Sequence, residues 1–144
     1  MHSTTRRMLT EEWWERERTH FEVWVSARTE YELADGTYRG QEKAIAEVRK
    51  LRYLPLIAAA RTIALRLIET KVIPQNEAGD AQHLGTAIAH QMYYLITWNY
   101  AHLVNPAMEL KLRTVAKSEG WRVPMLVSPE SIPWATLGKN IRRK

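Results

Sequence analysis

Tyr93-Tyr94-Leu95-Ile96-Thr97 is the stretch on which the fold turns. It is a continuous run of apolar, aromatic and branched residues with no polar residue interrupting it. A strand with one wet face alternates apolar and polar side chains, so an unbroken run reads as a strand buried on both faces. Burial of that kind belongs to a parallel sheet, whose strands need long crossovers, usually helices. The segments on either side must then be helical. Upstream, Asn76 is the N-cap of a helix running to about His90. Downstream, Pro106 opens a helix with Met108, Leu112 and Val115 as its inner stripe and Gly120 as its stop. Met125-Leu126-Val127 is a final short strand, and Ser128-Pro129-Glu130 starts one more turn of helix.

Towards the N-terminus the alternation continues. Phe21-Glu22-Val23-Trp24-Val25 alternates at its start and is rich in β-formers, which predicts a strand. Tyr38 to Arg52 carry Ile45, Val48 and Leu51 at helical spacing. Leu54-Pro55-Leu56-Ile57 is a short strand that Pro55 confines to a sheet edge. Ile57, Ala60, Ala64, Leu67 and Ile68 define a helix that ends before Pro74. A first helix runs from Thr10 through Trp13 and Trp14 to Arg18. Strands alternating with helices in this way predict an α/β domain with helices on both faces of a parallel sheet. In such sheets ligands gather at the carboxyl ends of the strands.

Composition narrows the function. A chain of 144 residues with 45% hydrophobic content fits one domain, here residues 1–138 followed by the basic tail 139–144. The absence of cysteine excludes disulfides, zinc–cysteine sites and thiol catalysis, and suits a reducing cytoplasm. No signal-peptide core follows Met1, and the longest apolar run, Leu54 to Ala60, is far too short to span a membrane. A soluble cytoplasmic protein is expected. A net charge of +5 favours an anionic partner, phosphate above all. Lys139, Arg142, Arg143 and Lys144 read either as a solubilising end or as a tail that steers RNA.

At the strand ends the first strand leads through Ser26 to Glu30 and Glu32, and the Tyr93–Thr97 strand leads into Trp98 and Asn99. Asp80, His83, Ala87 and His90 fall at i, i+3, i+7 and i+10, on one stripe of the intervening helix. Acidic and amide groups converging at one end of a parallel sheet suit a hard, oxygen-ligated cation such as Mg²⁺. Each residue also has a plain structural reading. Asp80 suits the positive end of a helix dipole, Glu32 a solvated helix face, and Asn99 a turn. His83 and His90 read as hydrogen-bonded, half-buried side chains, and the six tryptophans as packing rather than base-stacking platforms.

As an ordered set these residues resemble the PIN-domain group, the VapC-like ribonucleases of type II toxin–antitoxin systems. Asp80-Ala81-Gln82-His83-Leu84 is similar to its D-A-x-H motif, and Tyr94-Leu95-Ile96-Thr97-Trp98-Asn99 with His102-Leu103 and Asn105 to its later L-T-W-N-x-x-H. Glu12 to Glu15, Phe21 to Ser26 and Val127 to Glu130 resemble its first helix, second strand and last strand, so the likeness runs from about Leu9 to Ile132. The resemblance implies a three-layer sandwich around a five-stranded parallel sheet. It also implies a metal-dependent endoribonuclease in which Mg²⁺ or Mn²⁺ activates water against an RNA phosphodiester. On this reading Glu32, Asp80 and Asn99 hold the metal, Thr97 orients the ligand network through its hydroxyl, and His83 stands behind the metal ligands. A cognate antitoxin and pairing of two domains are implied as partners.

Two departures qualify the match. The group opens with a central strand ending in a metal-binding aspartate, and the likeness here begins inside the first helix. A strand and the start of its crossover, roughly 20 residues, are therefore expected to be missing, leaving two unpaired strand edges facing a gap and a chain without metal-dependent cleavage. Gln82 stands where an apolar residue is usual, and Gly79 lowers helix propensity by about 1 kcal/mol relative to alanine. A catalytically inactive fragment that binds nucleic acid or antitoxin is the competing expectation.

Overall fold

Proline and serine set the first boundaries. In a computed structural model that describes residues 11–12, 14–16, 21–97 and 106–128, strand β1 is Trp24–Ser26, and Ser26 ends it by capping helix α1, Ala27–Ala34. Helix α2, Gln41–Val48, starts from Gly40 in the left-handed region at φ 85°. Strand β2 is Arg52–Leu54, stopped by Pro55, which has no N–H for a ladder. Helices α3, Ala58–Glu69, and α4, Ala78–Ala89, follow, joined through a 3₁₀ turn at Gln75–Glu77. Strand β3, Tyr94–Ile96, helix α5, Pro106–Glu119, and strand β4, Met125–Val127, complete the described order.

The result is a mixed α/β chain with short parallel strands. β1 pairs with β2, and β3 with β4, as two separate two-stranded sheets. Val25 lies opposite Tyr53 in one pair, and Leu95 opposite Leu126 in the other. Beyond β3 the ladder continues through the Thr97 N–H, which donates to the Val127 carbonyl at 2.8 Å.

Helices carry most of the core. Ala60, Ile63, Ala64 and Leu67 of α3 are buried against Ala81, Leu84 and Ile88 of α4, with Val72 and Ile73 beneath. Backbones touch where the helices cross: a Cβ on Gly85 would lie 2.7 Å from the Ala60 carbonyl oxygen and 3.1 Å from the Ala64 nitrogen. Only glycine fits there. Leu112 and Ala116 of α5 are buried, with Met108 and Val115 packed against the same cluster. Arg66 of α3 also reaches Glu119 of α5 at 2.7 Å.

Several expected boundaries shift. The first strand is Trp24–Ser26 rather than Phe21–Val25, because its length is set by the three residues that pair with β2. The second is Arg52–Leu54 rather than Leu54–Ile57, since Pro55 terminates it instead of lying within it. The helix expected over Tyr38–Arg52 is only Gln41–Val48, with Leu51 already beyond it. Asn76 is not an N-cap: it sits in the 3₁₀ turn, and α4 begins at Ala78. The pivotal strand differs most. Tyr94, Leu95 and Ile96 are each only half-buried, and Tyr93 is 43% exposed. A run of apolar residues cannot report whether a neighbour covers both of its edges. Trp13, Trp98, Asn99, His102, Asn105, Trp134, the turn expected from Pro129 and the basic tail lie outside the described residues.

Candidate functional site

The site is assembled by a strand–serine–helix turn. Ser26 Oγ accepts from the Thr29 N–H at 3.2 Å and lies 3.1 Å from the Thr29 hydroxyl, which fixes the start of α1. One helical turn separates Arg28 from Glu32, and Arg28 Nε donates to Glu32 Oε2 at 2.9 Å. α1 packs on the opening of α4, so the other glutamate oxygen meets that helix. His83 Nε2 and Glu32 Oε1 are 2.9 Å apart, and His83 Nδ1 is 3.4 Å from Ser26 Oγ. Ser26, Glu32 and His83 are thus tied together across 57 residues of sequence.

Gly79 explains how Glu32 approaches α4 so closely. A Cβ at that position would lie 2.9 Å from Arg28 Nη2 and 3.0 Å from Glu32 Oε2. The helix propensity lost at this glycine is exchanged for room in which the Arg28–Glu32 pair rests on the first turn of α4. Sequence reading registered the cost and not the reason, because the reason is a contact with another helix.

Partial burial pushes the Glu32 carboxyl up, but the hydrogen bond and charge of His83, followed by those of Arg28, outweigh it. The group is held below the usual glutamate range. Because Glu32 is 45% exposed, the stabilisation is small.

Ser26, Thr29, Glu32, His83 and Thr97 line one open cavity of about 1010 Å³. Of the residues singled out from sequence, Glu32, His83 and Thr97 therefore share a site. Asp80 is half-buried in the first turn of α4, next to Gly79 and three residues ahead of His83. Asn99 lies outside the described residues. His90 is a structural group, its Nε2 3.0 Å from the Pro55 carbonyl oxygen. The tryptophans also act locally: Trp14 donates to Glu47 at 3.1 Å, and Trp24 carries Arg52 over its ring at 5.3 Å.

Oxygen donors of the right class for Mg²⁺ are present, but they do not form a full set among the described residues. Both oxygens of Glu32 already face nitrogen donors on Arg28 and His83. No group of three or more acidic, histidine or cysteine side chains there is arranged to hold a metal ion. No helix among them is long and apolar enough to cross a membrane. No family model matches the chain, and neither a curated protein nor a solved structure matches it significantly.

Proposed function

We propose that the chain carries an incomplete ribonuclease site of the PIN, VapC-like kind. Glu32, Asp80 and Asn99 are its metal donors for Mg²⁺ or Mn²⁺, Thr97 orients the donor network, and His83 positions Glu32. The observation that carries this reading is the placement of Glu32 against the first turn of α4, which bears Asp80, on a cavity shared with Thr97. A divalent ion there would polarise a phosphate oxygen and lower the pKa of an attacking water. What this chain's own residues contribute is a carboxylate kept ionised by His83 and Arg28, on a helix start capped by Ser26. RNA is the substrate class, and an antitoxin and a second copy of the domain are the proposed protein partners.

A second reading has its own observation. With both Glu32 oxygens engaged by Arg28 and His83, the site is neutralised internally, which suits a binding module without turnover. The two readings agree on one outcome: the chain by itself shows no Mg²⁺- or Mn²⁺-dependent cleavage of single-stranded RNA. A cleavage assay on fluorescent RNA with both metals checks it. Metal-dependent cleavage that Asp80→Asn abolishes would establish a complete nuclease site and overturn the inactive state; RNA binding without cleavage supports the binding module.

A further inference from the structure

The two oxygens of Glu32 are held by different kinds of partner. Oε1 faces His83 Nε2 at 2.9 Å, and the other nitrogen of that ring is 3.4 Å from Ser26 Oγ. With its side chain only 18% exposed, His83 is a fixed part of the wall. Oε2 is the oxygen on the α4 side: a Cβ on Gly79, one residue before Asp80, would lie 3.0 Å from it. Arg28 holds this oxygen through Nε at 2.9 Å, and its Nη2 would lie 2.9 Å from the same Cβ. The guanidinium therefore rests on the helix turn that bears Asp80, against Glu32.

Helix chemistry does not account for this arginine. Arg28 is the second residue of α1, where the partial positive charge of the helix end favours carboxylates and disfavours a cation. An arginine four residues ahead of a glutamate is also the weaker order for a helical ion pair. Both local preferences oppose the contact, and the glycine that leaves room for it lowers the helix propensity of α4.

We propose that Arg28 is an internal cation standing in for a divalent one: it occupies Glu32 Oε2 and has to leave before Mg²⁺ or Mn²⁺ binds there. This inference rests on the reading of Glu32 and Asp80 as metal donors. Because His83 keeps Oε1, Oε2 is the oxygen left to a metal. An ion on it would stand within about 4 Å of the guanidinium, and the two positive charges repel. One cation must give way. Release is open to the arginine, whose side chain is 31% exposed and has the exposed Tyr31 ring, 4.9 Å away, on which to settle. The ion pair is partly solvated, so its hold lowers metal affinity by a small factor and does not block the site.

The test is Mn²⁺ binding to the full chain without RNA, read from the paramagnetic resonance signal of the free ion. Arg28→Gln is expected to bind Mn²⁺ about three- to fivefold more tightly than the parent chain. Arg49→Gln is the control. It removes the same charge from a residue that pairs with Glu30 of α1 and not with Glu32, and is expected to change affinity by less than about twofold. A second measurement leaves the arginine in place: saturating Mg²⁺ is expected to speed solvent exchange of the Arg28 Nε–H several-fold, since that donor loses its carboxylate. Measurable binding that Arg28→Gln does not tighten, an equal gain in Arg49→Gln, or unchanged Nε–H exchange with Mg²⁺ bound each overturns the role of Arg28 and leaves Glu32 and Asp80 as metal donors. Absence of Mn²⁺ binding in both parent and Arg28→Gln overturns the metal donors and this inference together.

Discussion

The helical pair α3–α4 and the strand layer beside it are built from equally apolar sequence and reach very different burial. Leu67 and Leu84 are fully buried, and Gly85 lets the two helices touch backbone to backbone. Tyr94, Leu95 and Ile96 are as apolar and remain half-buried, with Tyr93 and Met125 exposed around them. A helix satisfies its backbone internally and needs only a partner for one stripe. A strand needs neighbours on both edges, and β1 and β3 have one each among the described residues. A helix pair can bury its own stripe, whereas the burial of a strand depends on neighbours far away in the sequence.

Substitutions can break that contrast. Leu84→Ala in the helical core is expected to cost about 2–5 kcal/mol, because it leaves a cavity among fully buried neighbours. Ile96→Ala in the strand layer is expected to cost about 1 kcal/mol, in proportion to its smaller buried area. Urea unfolding of both variants measures the difference; equal losses would mean that β3 is as well packed as α4. Gly85→Ala falls between those two in size. Its methyl meets the Ala60 carbonyl at 2.7 Å, so overpacking of about 1–3 kcal/mol is expected despite better helix propensity. A Tm equal to or above that of the parent chain would show that α3 and α4 can separate freely.

Glu32 gives the smallest effect, and its sign is fixed by linkage. A carboxyl held below its usual range contributes stability that is present above the unfolded value and lost as pH falls through the folded one. Glu32→Gln is therefore expected to lower stability by under about 1 kcal/mol at neutral pH and to converge with the parent chain in acid. Unfolding curves across that acid range check the convergence. A constant difference would place the effect in packing instead of charge.

What could be read from sequence follows the same division. Met125–Val127 and Pro106–Glu119 lie where the residues themselves predict, because Pro106, Gly120 and a short apolar run act locally. Gly120 has φ 78°, as a helix stop requires. The start of α4 was misplaced at Asn76, since a 3₁₀ turn after Pro74 competes with side-chain capping. Burial of Tyr93–Thr97 was not legible, because it depends on strands elsewhere in the fold. In the site, Asp80 near a helix start was legible from spacing. The contact between Glu32 and His83, 51 residues apart, was not, and neither was the role of Gly79 in permitting it. The rule that ligands gather at strand ends set Glu32 and the Asp80–His83 stripe at one end of a parallel sheet, without the contact itself.

Amide hydrogen exchange on the chain tests the central contrast most directly. The outcome expected is slow, near-global protection through Ala60–Leu67 and Leu84–Ile88, with exchange in β1 and β3 faster by orders of magnitude. Equal protection of Trp24–Ser26 and Tyr94–Ile96 with those helices would mean that the strands are held as firmly as the helical pair, and would contradict that contrast.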